Sequence, residues 1–178
     1  MKNPQAQLES IQKYLAVAAP EIGHINKIEK FSNGQSNPTY LLSTDSARYV
    51  LRTKPAGDLL KSAHAVEREY KVMKALEDTD VPVPRMLCLC ENEAVAGSIF
   101  FVMSYEEGRI FWDPALPQLS TVERSTLYTK KIQTLAVLHS VNPGSVGLQG
   151  FGRMGNYFER QFNRWTTQYR ASETQKIN

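Results

Sequence analysis

The stretch that decides the reading is Phe31-Ser-Asn-Gly-Gln-Ser-Asn-Pro-Thr-Tyr-Leu-Leu42, followed by Arg48-Tyr-Val-Leu-Arg-Thr-Lys54. An apolar run enters a Gly/Ser/Asn turn and leaves as a strand. The chain turns again at Thr44–Ala47 and returns as Tyr-Val-Leu-Arg. Two strands joined by a small-residue loop, with a third strand carrying a cation back beside them, can form an anion site: loop amides receive oxygens and the cation receives charge. Taken alone, Asn33–Asn37 reads first as an ordinary hairpin turn, because Asn and Gly are what turns require.

The segments on either side give the stretch its context. Residues 6–17 place Leu8, Ile11, Tyr14 or Leu15 and Ala18 on one stripe, an amphipathic helix that Pro20 ends. Residues 25–31 predict a first strand, 39–43 a second and 48–54 a third. A helix is expected over 62–78 with Ser62 as its N-cap, then a rigid Val81-Pro-Val-Pro84 connector. Strands over 85–91 and 98–105 follow, the second apolar enough to be central. After Gly108 come an irregular segment, a helix over 121–141, a Gly-containing loop and a last helix over 156–171. The expected architecture is α+β: an antiparallel five-stranded lobe with one packed helix over residues 1–107. Residues 108–178 read as the opening helices of a second, α-helical lobe.

Composition narrows the function classes. With 178 residues, 42% hydrophobic and 22% charged, the chain is ordinary globular material. No run approaches the roughly 18 apolar residues of a membrane span. The N-terminus lacks an apolar signal core, which points to the cytoplasm. The net charge is +3 with scattered Lys and Arg, so neither nucleic acid nor membrane is expected as a partner. Cys88 and Cys90 fall on one face of a strand and read as buried free thiols, not as a metal site.

The helix after the third strand supplies the discriminating detail. At about 100° per residue from Val66, Tyr70, Met73 and Leu76 share one apolar arc. Glu69 falls inside that arc, whereas Glu67 and Arg68 fall outside it and are expected to face water. A carboxylate pointing at the core needs a cation, and an inward Arg52 or Lys54 on the preceding strand is its natural partner. Lys54 shares the face of Arg52 as a second cation. His139 lies on the stripe of Tyr128, Ile132 and Leu135 and reads as a core histidine. No role is assigned to His24 or His64.

This order of loop, cation strand, carboxylate helix, two strands and connector is that of the nucleotide lobe in protein-kinase-like folds. The segments Gly34–Tyr40, Val50–Pro55, Ser62–Tyr70, Val81–Pro84 and Tyr169–Glu173 further resemble the aminoglycoside phosphotransferase family. The resemblance is strongest to a bacterial phosphotransferase branch that also occurs fused to the N-terminus of some eukaryotic acyl-CoA dehydrogenases. It implies an ATP- and Mg2+-dependent small-molecule kinase that transfers a γ-phosphate to a substrate hydroxyl. It implies that Gly34, Gln35, Ser36 and Asn37 form the phosphate loop. It places Arg52 where a lysine is commoner, pairs it with Glu69, and puts an adenine hinge at Met103 and Tyr105, with Val83 and Met103 as apolar walls.

The family's His-Gly-Asp-like loop and metal-binding Asp have no counterpart here. No Asp follows Asp113, and the tail beyond it carries eight Lys or Arg against three Glu. No catalytic or metal residue is therefore assigned in this chain, which is expected to be an N-terminal portion that does not transfer phosphate alone. A non-catalytic nucleotide-binding or interaction module, or the kinase-like domain of a multidomain acyl-CoA dehydrogenase, is the alternative; a standalone bacterial parent is favoured. An incomplete second lobe would expose apolar surface and favour dimerisation.

Overall fold

The computed structural model describes residues 7–32, 37–55, 64–153 and 155–172. The elements are α1 (Leu8–Ala18), β1 (Lys27–Lys30), β2 (Thr39–Ser43), β3 (Arg48–Thr53), α2 (Val66–Leu76), β4 (Met86–Cys90), α3 (Glu93–Ala96), β5 (Phe100–Ser104), α4 (Thr121–Ser140) and α5 (Tyr157–Ser172). The five strands form one antiparallel sheet in the order β1-β2-β3-β5-β4. The 44–47 turn fixes the β2–β3 register at Ser43↔Arg48, and counting outward sets Thr39 opposite Arg52.

Each sheet face has its own apolar cover, because alternate residues of a strand point to opposite sides. On one face Leu42, Leu51, Phe100, Val102, Cys88 and Cys90 form the larger core with Ile11, Leu15 and Ile22 from the N-terminal segment. The amphipathic stripe of α1 therefore covers the sheet opposite α2, a second cover added to the single helix expected. On the other face Phe101, Met86, Leu89 and Met103 meet Val66, Tyr70 and Met73 of α2. Phe100 and Phe101 are both fully buried, in line with a central β5. Burying each side chain contributes about 2–3 kcal/mol.

Local chemistry explains the connections. The turn expected at 92–97 is made by α3, which starts at Asn92 with its side chain accepting from the Ala94 N–H. It closes at Gly97, whose φ of 71° favours glycine. Helix α2 begins at Val66, later than the expected 62, because His64 has φ 60° and a left-handed residue cannot continue an α-helix. Ser62, the expected cap, lies outside the described residues. At the other end of α2, Glu77 accepts from the Met86 backbone N–H and from Lys74 Nζ at 2.6 Å, tying the helix to the start of β4. Burial alone would raise the Glu77 pKa, but Lys74 and the Met86 amide outweigh it and hold the carboxyl below its usual range. Cys88 and Cys90 are buried free thiols, and burial pushes Cys88 up to about 12.

The chain divides into two compact units, Met1–Val141 and Asn142–Asn178. Helix α4 opens with a full capping box: Ser120 accepts from the Glu123 N–H while the Glu123 carboxylate accepts from the Ser120 N–H. None of its described residues is buried, and Ile132, Leu135 and Leu138 are exposed. His139 is exposed with them and is not a core histidine. In the second unit α5 likewise exposes Phe158, Phe162, Trp165 and Tyr169.

Candidate functional site

The α2 face of β3 carries the charges. Arg52 lies directly opposite Thr39 on β2 and Phe101 on β5. Val50 and Phe101 on the same face are apolar, whereas Thr39 is polar, and the guanidinium lies under α2. Glu69, one turn into α2, meets it: Arg52 Nε donates to Glu69 Oε2 at 2.6 Å and Nη2 approaches Oε1 at 3.4 Å. The side chains are 26% and 35% exposed, a half-buried pair. Such a pair needs its remaining hydrogen-bond positions satisfied if it is to be stable.

Those positions are filled by the exit of the 33–37 loop. Asn37 is buried, and its Nδ2 donates to Glu69 Oε1 at 2.7 Å. Arg52 Nη1 donates to Thr39 Oγ1 at 2.9 Å and, more weakly, to the Asn37 carbonyl at 3.4 Å. The guanidinium has five N–H groups. These contacts use four and leave one Nη2 proton without a partner among the described residues. The result is a cation oriented by Glu69, Asn37 and Thr39, with one donor unfilled among the described residues.

A second pair lies beside the first. Lys54 Nζ sits 3.6 Å from Glu67 Oε2, beyond hydrogen-bonding distance, and that oxygen is buried with no hydrogen-bond partner. Glu67 is thus half-buried toward β3 and does not face water as its helical phase suggested. It lies about 60° past Tyr70 on the wheel, and the long Lys54 stem reaches across that gap.

Of the residues singled out from sequence, Asn37, Arg52 and Glu69 come together in one hydrogen-bonded cluster. Gly34, Gln35 and Ser36 lie outside the described residues. Met103 is half-buried on β5 against the α2 core, and Val83 is half-buried in the connector. Tyr105 leaves the sheet just after β5, its ring 4.3 Å beneath the Arg48 guanidinium, which also reaches Glu107 at 3.4 Å. Arg48 and Arg52 are about 13 Å apart along β3, so Tyr105 and Arg52 mark two ends of one strip of sheet. Among the described residues, no group of three or more His, Cys, Asp or Glu is gathered as metal ligands.

Two members of the cluster were not picked out from sequence. Thr39 was readable in principle, since the hairpin register alone sets it opposite Arg52. His64 was not: its Nδ1 lies 2.9 Å from Asn37 Oδ1 only because a left-handed residue turns the chain ahead of α2.

A cation on the third strand paired with the carboxylate of the next helix, joined by Asn37 ahead of the second strand, is the order of elements found in kinase-like folds. The profile of the phosphotransferase enzyme family (APH) matches residues 27–178, and the chain belongs to that family. A crystal structure of a Ralstonia eutropha JMP134 protein assigned as an aminoglycoside phosphotransferase superposes with a TM-score of 0.81 at 41% identity. It covers 96% of this chain and 49% of that one. Among curated relatives, the probable acyl-CoA dehydrogenase IBR3 of Arabidopsis thaliana is 49% identical over 154 residues, covering 84% of this chain and 19% of that protein. Acyl-CoA dehydrogenase family member 10 of Mus musculus is 44% identical over 177 residues, covering 99% of this chain and 16% of that protein. The chain therefore spans about half of the solved relative and under a quarter of these curated ones.

Proposed function

We propose that this chain is the nucleotide-binding part of an ATP- and Mg2+-dependent small-molecule kinase whose acceptor is a hydroxyl group. The observation that carries the reading is the half-buried Arg52–Glu69 pair, held by Asn37 and Thr39, with one guanidinium N–H uncommitted among the described residues. A guanidinium so placed suits a phosphate oxygen, for which it offers both charge and a directed donor. In this reading Gly34, Gln35, Ser36 and Asn37 present the loop to the phosphates. Arg52, kept in place by Glu69, neutralises them, and Met103 and Tyr105 border the adenine. ATP, when bound, supplies the transferable phosphoryl group with its Mg2+.

Phosphoryl transfer depends mainly on positioning and charge neutralisation by metal-held oxygens. No Asp occurs after Asp113 in these 178 residues, so this polypeptide alone binds nucleotide without turning it over. The lobe ends near Gly108, just after the hinge, and residues 108–178 open the helical lobe. The setting is cytoplasmic, and the apolar faces of α4 and α5 favour self-association. Titration of a fluorescent ATP analogue against wild type and Arg52→Ala, with a phosphate-release assay alongside, tests the reading. Saturable binding that the substitution weakens at least tenfold, without release, supports it. Turnover by this chain refutes the inactive part, and binding indifferent to Arg52 refutes the site.

A second reading, that the chain is the kinase-like domain of a multidomain acyl-CoA dehydrogenase, is favoured by its relatives: it matches only 16% to 19% of the length of proteins that carry that name. Coding sequence downstream of residue 178 separates the two. A dehydrogenase domain supports the fused parent, and a His-Gly-Asp-like loop followed by an Asp-containing metal motif supports a transferase in either case.

A further inference from the structure

The orientation of the Asn37 amide is determined by its two partners. Nδ2 lies 2.7 Å from Glu69 Oε1, and Oδ1 lies 2.9 Å from His64 Nδ1. Glu69 also receives Arg52 Nε, so it is an ionised carboxylate that only accepts. Reversing the amide would set a carbonyl oxygen against a carboxylate oxygen at hydrogen-bond distance. Nδ2 must therefore face Glu69 and Oδ1 must face His64. An oxygen there is satisfied only if His64 Nδ1 carries a proton.

We infer that His64 is a positioning residue of the candidate nucleotide site. Its Nδ1–H fixes the Asn37 amide, which with Arg52 Nε brackets the Glu69 carboxylate and keeps the guanidinium turned so that one Nη2–H is left for a phosphate oxygen. The inference rests on the nucleotide reading above. The backbone at His64 supports it: φ is 60°, a conformation that His, Asn and Asp adopt more readily than other non-glycine residues. A strained residue in contact with a site side chain is more informative than strain in a remote loop. A merely helix-delimiting residue would need only this backbone shape, whereas a positioning residue needs a donor at Nδ1.

Asn and Asp separate these roles, because both tolerate positive φ and both place a polar atom near Nδ1, one a donor and the other an acceptor. The probe is a non-hydrolysable ATP analogue with Mg2+, titrated against the whole chain. His64→Asn is expected to stay within about threefold of wild-type affinity, and His64→Asp to lose about tenfold or more, since it leaves Asn37 facing two acceptors. Simple repulsion between the introduced carboxylate and phosphate would persist without Asn37. In an Asn37→Ala background the penalty of His64→Asp is therefore expected to fall to about twofold. The ¹⁵N imidazole spectrum of nucleotide-free protein provides an independent readout, and a protonated Nδ1 is expected. Equal affinity of the Asn and Asp variants, an undiminished His64→Asp penalty in the Asn37→Ala background, or a bare Nδ1 overturns the inference. Absence of saturable binding by wild type overturns the nucleotide reading, and the positioning role with it. A bare Nδ1 beside normal wild-type binding overturns the role of His64 alone.

Discussion

Replacing Glu69 by Ala removes the acceptor on which three hydrogen bonds end: Asn37 Nδ2 at 2.7 Å, Arg52 Nε at 2.6 Å and Arg52 Nη2 at 3.4 Å. Hydrogen bonds to a charged group contribute about 1.5–3 kcal/mol each. The Arg52 and Glu69 side chains are 26% and 35% exposed, so solvent screening roughly halves that, and the 3.4 Å contact adds little. The expected loss is about 2 kcal/mol of folding stability, or about 6 °C in Tm for a chain of this size. Arg52 also loses its orientation, so nucleotide affinity should fall about tenfold. Glu67→Ala is the matched control, two residues away on the same turn. Its carboxylate has a single ionic contact at 3.6 Å and a buried oxygen without a hydrogen bond. Its removal should cost no more than about 0.5 kcal/mol and leave affinity within twofold. Thermal melts and nucleotide titrations of both variants check this. If Glu67→Ala weakens binding as much as Glu69→Ala, the assignment of Glu69 as the partner of the strand cation is wrong.

Other outcomes follow from the same geometry. The folded-state pKa of Glu77 is depressed, so its stabilising contribution is complete above the ordinary carboxylate range and is lost as pH falls through the folded pKa; Glu77→Gln should flatten the acid limb of a stability-versus-pH curve and leave its alkaline limb unchanged. Cys88, buried with its pKa pushed up to about 12, should react with a thiol reagent only after denaturation, as should Cys90, and prompt native labelling would contradict the core described. Tyr105→Ala removes the ring beneath Arg48, a contact worth about 0.5–1 kcal/mol, and should perturb stability less than Glu69→Ala. The exposed apolar residues of α4 and α5 should give concentration-dependent association in sedimentation velocity, relieved by Phe158→Ser with Phe162→Ser; a strictly monomeric wild type would refute that.

The parts of the fold that were legible in the sequence are those set by short-range chemistry. Alternation in 39–43 and 48–54, with the 44–47 turn between, specifies a hairpin and its register, and the apolar run at 100–104 specifies a central strand. Helical phase singled out Glu69 because its angular position depends only on the α2 sequence. The same phase misplaced Glu67, whose environment depends on where β3 ends and on the reach of Lys54 across the space between elements. His64 was invisible for a related reason: its role depends on one left-handed backbone angle that no periodic pattern encodes. His139 shows the converse, since an apolar stripe predicts burial only if something packs upon it.

The measurement that bears most directly on the central claim is a calorimetric titration of the chain with a non-hydrolysable ATP analogue and Mg2+, wild type beside Arg52→Ala. Wild type is expected to bind saturably, one to one, and the variant to lose at least tenfold in affinity. No saturable heat from folded wild-type protein, or equal affinity in the two, would contradict the claim.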